Sequence, residues 1–334
     1  MRLLVFGGTV FLSRTVAEVA RDAGHAVTCA ARGVSGNPPE DVEFVQIDRD
    51  AVDGLAPLED RDFDAVVDVE MQSPTRVRRA LQAVSGGISH WTYVSSGSVY
   101  TDDATAGQDA GSSPVASPPP EGSDETDREL YGPFKIACEN VVREVVGDKA
   151  FVCRAGLIVG PRDVSDRFGY WPARLARGGE VLVPGDPQDL VQYVDVRDLA
   201  EWILKCAEDR VVGTFDAVAP PLPWGTVVES IAVAVGGPDV SLTWVAGDWL
   251  MEQGAVPWAG LNSIPLWLPL PDYAGFMSRD VSASIVAGLT TRSTEDTARA
   301  ALEWEELLGP DRDRRSGITP EFEAELLAAW RAAS

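Results

Sequence analysis

The chain has 334 residues, 45% of them hydrophobic, enough for one large domain or a domain with a smaller lobe, so disorder is not the default. A formal charge of −24, from 52 acidic against 28 basic residues, repels phosphate backbones and anionic bilayers, so neither nucleic acid nor membrane is an expected partner. No apolar run reaches the ~20 residues needed to cross a bilayer and no leader pattern precedes the first strand, so the chain reads as soluble and cytoplasmic.

Leu3–Phe6 is an aliphatic strand that runs directly into Gly7-Gly8-Thr9-Val10-Phe11-Leu12-Ser13. A glycine turn between a strand and a helix lets the backbone approach a dinucleotide diphosphate and lay it against the free N–H groups of the helix start. That context places Gly7, Thr9, Val10, Phe11 and Leu12 at a cofactor. Ser13 stands where a third glycine is usual, so slightly looser helix–strand packing is expected there. An amphipathic helix over Leu12–Ala23 stops at Gly24, and the second strand, Ala26–Ala30, follows. NAD-binding folds carry an acidic residue after this strand to grip the adenosine ribose; here Ala31 and then Arg32 occupy the place. A guanidinium suits a 2′-phosphate, so NADP(H) is the expected cofactor, with NAD as the alternative. Asp48, closing the strand Phe44–Ile47, is placed either to accept from the adenine amino group or to cap its own loop.

Ala65–Val69 and Trp91–Ser95 are further strands, with a helix at Thr75–Val84 between them. Such alternation predicts a parallel sheet covered on both faces, with the strand carboxyl ends, where ligands bind, along one edge. The last of these strands breaks into Ser95-Ser96-Gly97-Ser98-Val99-Tyr100, and Ser96 is the serine expected to hold a substrate oxygen. From Tyr100 to Leu130 the pattern dissolves into Asp, Gly, Ser and Pro, a loop that is either a disordered surface excursion or an active-site cover, the latter favoured by its position between the serine pair and Tyr131. The helix Tyr131–Val146 opens on Tyr131-Gly132-Pro133-Phe134-Lys135, and this spacing puts Tyr131 and Lys135 on one face. An ammonium beside the phenol is expected to lower its pKa from ~10, giving a general acid/base for a carbinol oxygen.

Phe151–Arg154 is one more strand, after which Pro, Trp and Gly become frequent and the elements shorten. Helices are expected at Val196–Glu208, Val227–Val235, Glu295–Leu308 and Pro320–Ala333. Five tryptophans between Trp224 and Trp267 are expected mostly to build a small lobe's core, while Trp171, Arg162 and Arg167 lie nearer the expected crevice. Cys29, Cys138, Cys153 and Cys206 show no Cys-x-x-Cys spacing, and with only His25 and His90 beside them no metal site is expected.

Together these segments resemble the extended branch of the short-chain dehydrogenase/reductase superfamily, the NAD-dependent epimerase/dehydratase-like proteins. The likeness extends through Arg154-Ala155-Gly156-Leu157-Ile158-Val159-Gly160-Pro161 and Tyr193-Val194-Asp195-Val196-Arg197-Asp198-Leu199-Ala200. It implies an α/β fold, with residues 1–160 and 193–218 forming a Rossmann-type doubly wound parallel sheet. Residues 161–192 and 219–334 would form a smaller mixed substrate-binding lobe. It implies Ser96, Tyr131 and Lys135 as the catalytic set: Tyr131 as acid/base, Lys135 holding the nicotinamide ribose and tuning Tyr131, Ser96 anchoring the substrate oxygen. Homodimers through paired helices are common in that family.

Three departures qualify the likeness. Sugar-nucleotide members carry an arginine for the diphosphate where this chain has Val191, followed by Gln192. The sugar 4,6-dehydratases place an Asp-Glu pair where Gly97-Ser98 stands, and Asp68-Val69-Glu70-Met71 replaces small residues usual near the cofactor. The expected function is an NADP(H)-dependent carbonyl/alcohol reductase or epimerase acting on a small oxygenated molecule. The alternative is a cofactor-binding regulator or RNA-associated protein on the same fold, which the Tyr131/Lys135 pair and the acidity respectively disfavour.

Overall fold

The computed structural model describes residues 1–84, 86–309 and 312–333. The aliphatic runs of the first half become β1 (Arg2–Phe6), β2 (Ala26–Ala31), β3 (Glu43–Gln46), β4 (Ala65–Asp68), β5 (His90–Ser96) and β6 (Ala150–Ala155). A seventh strand, Gly213–Ala217, pairs with β6. All seven are parallel, in the spatial order Gly213–Ala217, β6, β5, β4, β1, β2, β3. The order reverses between β1 and β4, so the carboxyl ends of these two strands border the crevice where such sheets take ligands.

Four helices come from the same stretch: α1 (Phe11–Asp22), α2 (Ala56–Glu59), α3 (Pro74–Val84) and α4 (Tyr131–Val146). On one face of the sheet α1 packs against the later helix Val196–Asp209, burying Leu12, Val16 and Ala20 with Leu199, Ile203 and Trp202. The other face is covered by α3 and α4, which bury Val77, Leu81, Cys138 and Val142 over Phe6 and Trp91. Each such large aliphatic chain contributes roughly 1.5–3 kcal/mol on burial. Asp195 caps the helix Val196–Asp209, its carboxylate accepting from Arg197 N at 2.8 Å.

The second half builds its own apolar core around Trp171, Trp224, Leu250, Ile264 and Trp267, covered by the helices Trp224–Val235, Thr294–Leu308 and Pro320–Ala333. Trp171 lies inside this core, away from any ligand crevice: it is fully buried, stacked edge-on against Trp224, and its indole N–H donates to Pro265 O. Arg162 pairs with Glu18 and Arg167 lies over the Trp258 ring, so both have structural partners. Trp244, Trp249 and Trp258 pack on the same core from its margin. Among the described residues no helix is long and apolar enough to cross a membrane, and no cluster of His, Cys, Asp and Glu is arranged to hold a metal ion.

Residues 101–130 form no helix or strand, yet their backbone is tied at both ends. Near the start, Gly275 N and Phe276 N donate to Asp103 O, Gly107 N donates to Ser278 O, and Asp280 N donates to Gln108 O. Near the end, Gln72 Nε2 donates to the carbonyls of both Glu125 and Asp127. The loop thus spans from the second core to the exit of β4.

Candidate active site

Gly7 and Gly8 turn the chain out of β1 with φ of +106° and +76°. Only glycine fits at Gly8, where a Cβ would lie 2.2 Å from the Cys29 sulfur. The packing at Ser13 is tight rather than loose: the residue is buried and its hydroxyl donates to Val10 O at 2.9 Å. Helix α1 starts without an acidic residue in its first turn and without a side-chain cap at Val10. Its leading N–H groups therefore have no internal anion to satisfy them.

Above this turn lies a cleft of about 720 Å³, bordered by Gly7, Thr9, Val10, Arg32, Asp48, Glu70, Gln72 and Arg128. It follows the carboxyl ends of β1, β2, β3 and β4. Phe11 and Leu12 turn their side chains into the apolar core instead. Arg32 is exposed on the cleft wall and forms no ion pair among the described residues. Asp48 does both things expected of it as alternatives: its carboxylate accepts from Asp50 N at 2.9 Å, closing its own loop, and it borders the cleft.

Beneath the cleft, Asp68 at the end of β4 is completely buried and held by Arg49, with contacts of 2.8 and 3.1 Å. The same guanidinium lies 4.1 Å from the centre of the Phe6 ring. A buried carboxylate needs such a partner. The acidic strand exit that departs from the family pattern is therefore a neutralised floor.

Of the neighbouring serines, the structure separates Ser95 from Ser96. Ser95 is buried against α4, its hydroxyl donating to Glu139 Oε1 at 2.6 Å, and Glu139 is in turn held by Arg154. Ser96 ends β5, accepts from Ser98 N at 3.1 Å and donates to Ser98 Oγ at 3.2 Å, and its hydroxyl is near enough to the Tyr131 phenol to act on its pKa. Gly132 allows this approach, because a Cβ there would stand 2.2 Å from Ser98 O. Burial raises the Tyr131 pKa above its usual 10, opposed by the Ser96 hydrogen bond and the charge of Arg128. The phenol is therefore protonated at neutral pH.

Lys135 sits differently from the expectation that it tunes Tyr131. Its ammonium is 2% exposed and commits three contacts: to Val94 O at 2.6 Å, Glu70 O at 2.9 Å and Tyr93 Oη at 3.0 Å. Tyr93 in turn donates to Glu70 O at 3.1 Å. The charge lies 4.5 Å from the Tyr93 ring centre and 6.0 Å from that of Tyr131. Burial pushes the Lys135 pKa down to about 8, against nearby acidic groups that raise it. Sequence reading missed Tyr93; a tyrosine inside a central strand was the available signal, since its buried hydroxyl must find a partner.

Across β5 from the cleft, a small enclosed space of about 20 Å³ is bordered by Gly97, Gly156, Gln192, Arg154 and Arg279. Both arginines are already paired: Arg154 with Glu139, and Arg279 with Asp216 at 2.8 and 3.1 Å. Tyr100 donates to Asp216 at 2.6 Å and lies flat beneath Arg279. Gln192 accepts from Arg279 N and donates to Arg279 O, while Val191 is buried in the second core.

Ser96, Tyr131 and Lys135 are not among the residues that border the large cleft. A dinucleotide-type cleft at the point where a parallel sheet reverses its strand order defines an α/β enzyme of the short-chain dehydrogenase/reductase class. The profile of the NAD dependent epimerase/dehydratase family matches residues 3–216, and the chain belongs to that family. A comparison with curated proteins finds no match. Among solved structures, UDP-N-acetylglucosamine 4-epimerase from Bacillus cereus is 18% identical, with a TM-score of 0.63 over 94% of this chain and 98% of that one. UDP-glucuronic acid 4-epimerase from the same organism, in complex with NAD, is 14% identical with a TM-score of 0.61, over 92% and 99% of the two chains. UDP-glucose 4-epimerase from Thermotoga maritima, with UDP-glucose, is 15% identical with a TM-score of 0.60, over 92% and 99%. At these identities the likeness is one of fold.

Proposed function

We propose that this protein is an NADP(H)-dependent oxidoreductase, a carbonyl/alcohol reductase or an epimerase using the same proton transfer, acting on a small oxygenated substrate through Ser96 and Tyr131. The observation that carries the reading is the protonated Tyr131 phenol, close to Ser96 at the end of β5, in a sheet whose glycine turn opens on a cleft and has no internal anion. The residues present fit a dinucleotide: the Gly7–Gly8 cradle, the uncapped start of α1 and the unpaired Arg32 each match one of its anionic groups. Several relatives of the same fold were solved with NAD, so NADP(H) rests on Arg32 and on the absence of an acid after β2.

When bound, the nicotinamide supplies or accepts the hydride. The protein's part is placement and proton transfer. Ser96 holds the substrate oxygen, and Tyr131 donates its proton to that oxygen in the reductive direction and removes it in the other. Lys135 acts on this site through the backbone, since its three contacts fix the ends of β4 and β5. A nucleotide-sugar substrate, named for several of the solved relatives, is disfavoured here. Val191 offers no charge to a diphosphate, and both arginines beside Gly97 are already neutralised by buried carboxylates. A reductase consumes NADPH stoichiometrically with its carbonyl substrate, whereas an epimerase returns the cofactor unchanged.

Cofactor titration tests the assignment. NADPH is expected to bind about 10–100-fold tighter than NADH, the range for a hydrogen-bonded charge pair. Arg32→Gln should remove that preference while leaving NADH affinity intact. Tighter binding of NADH by the unaltered protein would sink the NADP(H) assignment.

A further inference from the structure

Five arginines border the large cleft, and four of them are accounted for differently. Arg49 is held by Asp68, Arg76 by Asp50 and Glu70, and Arg79 donates to Arg49 O at 2.6 Å. Arg32 is the guanidinium assigned above to the 2′-phosphate. The fifth, Arg128, is exposed to the cleft and has no ion-pair partner among the described residues. It lies in the long loop, three residues before Tyr131.

The backbone around Arg128 is fixed against the cleft wall. Gln72, buried at the β4 exit, clasps the carbonyls of Glu125 and Asp127 at 2.8 and 2.9 Å. The Glu125 carboxylate accepts from the Ser73 and Thr75 hydroxyls, so the one acid on this stretch that borders the cleft is engaged with neutral donors. Those hydroxyls fix the Glu125 carboxylate without neutralising it, and Arg128, on an anchored main chain, brings a guanidinium without an ion-pair partner to a space that also contains the start of α1.

That charge has an electrostatic purpose. A chain of net charge −24 repels a dinucleotide, whose diphosphate alone carries two negative charges. The start of α1 supplies the equivalent of roughly half a charge. A second cation inside the cleft is needed to balance the diphosphate.

Resting on the cofactor reading above, we propose that the segment Ser123–Glu129 is a wall of the cofactor cleft and that Arg128 is its ligand to the dinucleotide diphosphate. The long loop then covers the cofactor rather than the substrate alone, and its Gln72 clasp sets the position of Arg128. Because NADH and NADPH share the diphosphate, Arg128 contributes equally to both, unlike Arg32.

The test is fluorescence titration of the full-length protein with NADPH and with NADH at several salt concentrations. Arg128→Gln should raise both dissociation constants by about tenfold and make them less sensitive to salt, because one screened charge pair is lost. Arg128→Lys should retain most of the salt sensitivity. Unchanged affinity for both cofactors in Arg128→Gln overturns the proposal, as does a loss confined to NADPH, which would place Arg128 at the 2′-phosphate. If the unaltered protein binds neither cofactor, the functional reading fails along with this one; if it binds and the variant matches it, only the role of Arg128 fails.

Discussion

Tyr131→Phe is expected to lower turnover by about 10²–10⁴-fold, the range for removing a positioned general acid/base. Cofactor affinity should stay unchanged. Among the described groups near the Ser96 hydroxyl, the phenol is the one that can act as a general acid, since the other neighbour, Ser98, is an alcohol far too weakly acidic to do so. Losing one oxygen leaves the fold intact, because Tyr131 opens α4 and the helix is anchored by Phe134, Cys138 and Val142 in its interior. Steady-state kinetics on a verified carbonyl substrate, paired with an NADPH titration, separate the two effects. Near-full turnover in the variant would remove Tyr131 from the mechanism.

Lys135→Met should destabilise the protein by roughly 2–4 kcal/mol at neutral pH, since Val94 O and Tyr93 Oη lose the ammonium as donor and Glu70 O keeps only Tyr93, while a buried charge is removed. The pH dependence carries a distinct sign. The Lys135 pKa falls from 10.5 to about 8 on folding, so between those values the unfolded chain binds the proton and the folded chain does not. Stability supplied by the wild-type lysine therefore rises with pH across this window, by roughly 3 kcal/mol in total. Tyr93 and Cys138, which face the ammonium, are both shifted upward by burial, Cys138 to about 12. The deficit of Lys135→Met relative to the unaltered protein should accordingly widen between pH 8 and 10.5 in denaturant melts. A deficit that is flat or shrinks across that range would show that the ammonium is not held as described.

Much of this molecule could be read from its sequence, for identifiable reasons. The sheet was legible because β1, β2, β4 and β6 are short runs rich in β-branched or aliphatic residues and β5 is a short run of aromatic and β-branched ones. The glycine turn was legible because its neighbours on both sides declared a strand and a helix. Ser95 and Ser96 show where such reading stops. Alternation along a strand puts them on opposite faces, yet only the folded sheet reveals that Glu139 and Arg154 engage Ser95 while Ser96, at the strand end, is left near Tyr131. The surroundings of Lys135 were illegible for a similar reason. Its partners come from the ends of β4 and β5, 65 and 41 residues upstream respectively, and two are backbone carbonyls that leave no trace in composition. Arg128 was hidden in a stretch without periodicity, where no pattern tells a ligand from a surface charge. Trp171 was placed near the crevice on the strength of its position alone, and the packing of Trp224 and Pro265 around it shows otherwise.

Strand Gly213–Ala217 reaches β6 only after the chain has left the sheet and threaded back along the helix Val196–Asp209. A polypeptide ending near residue 160 would leave one flank of β6 unpaired and strip the cover from Leu12, Val16 and Ala20 on α1. The cofactor-binding half is therefore not a detachable module. Its last two elements are synthesised after part of the other half, so neither half can be exchanged by simple fusion at a single junction. The two have had to change in step, each constrained by the covalent path of its neighbour.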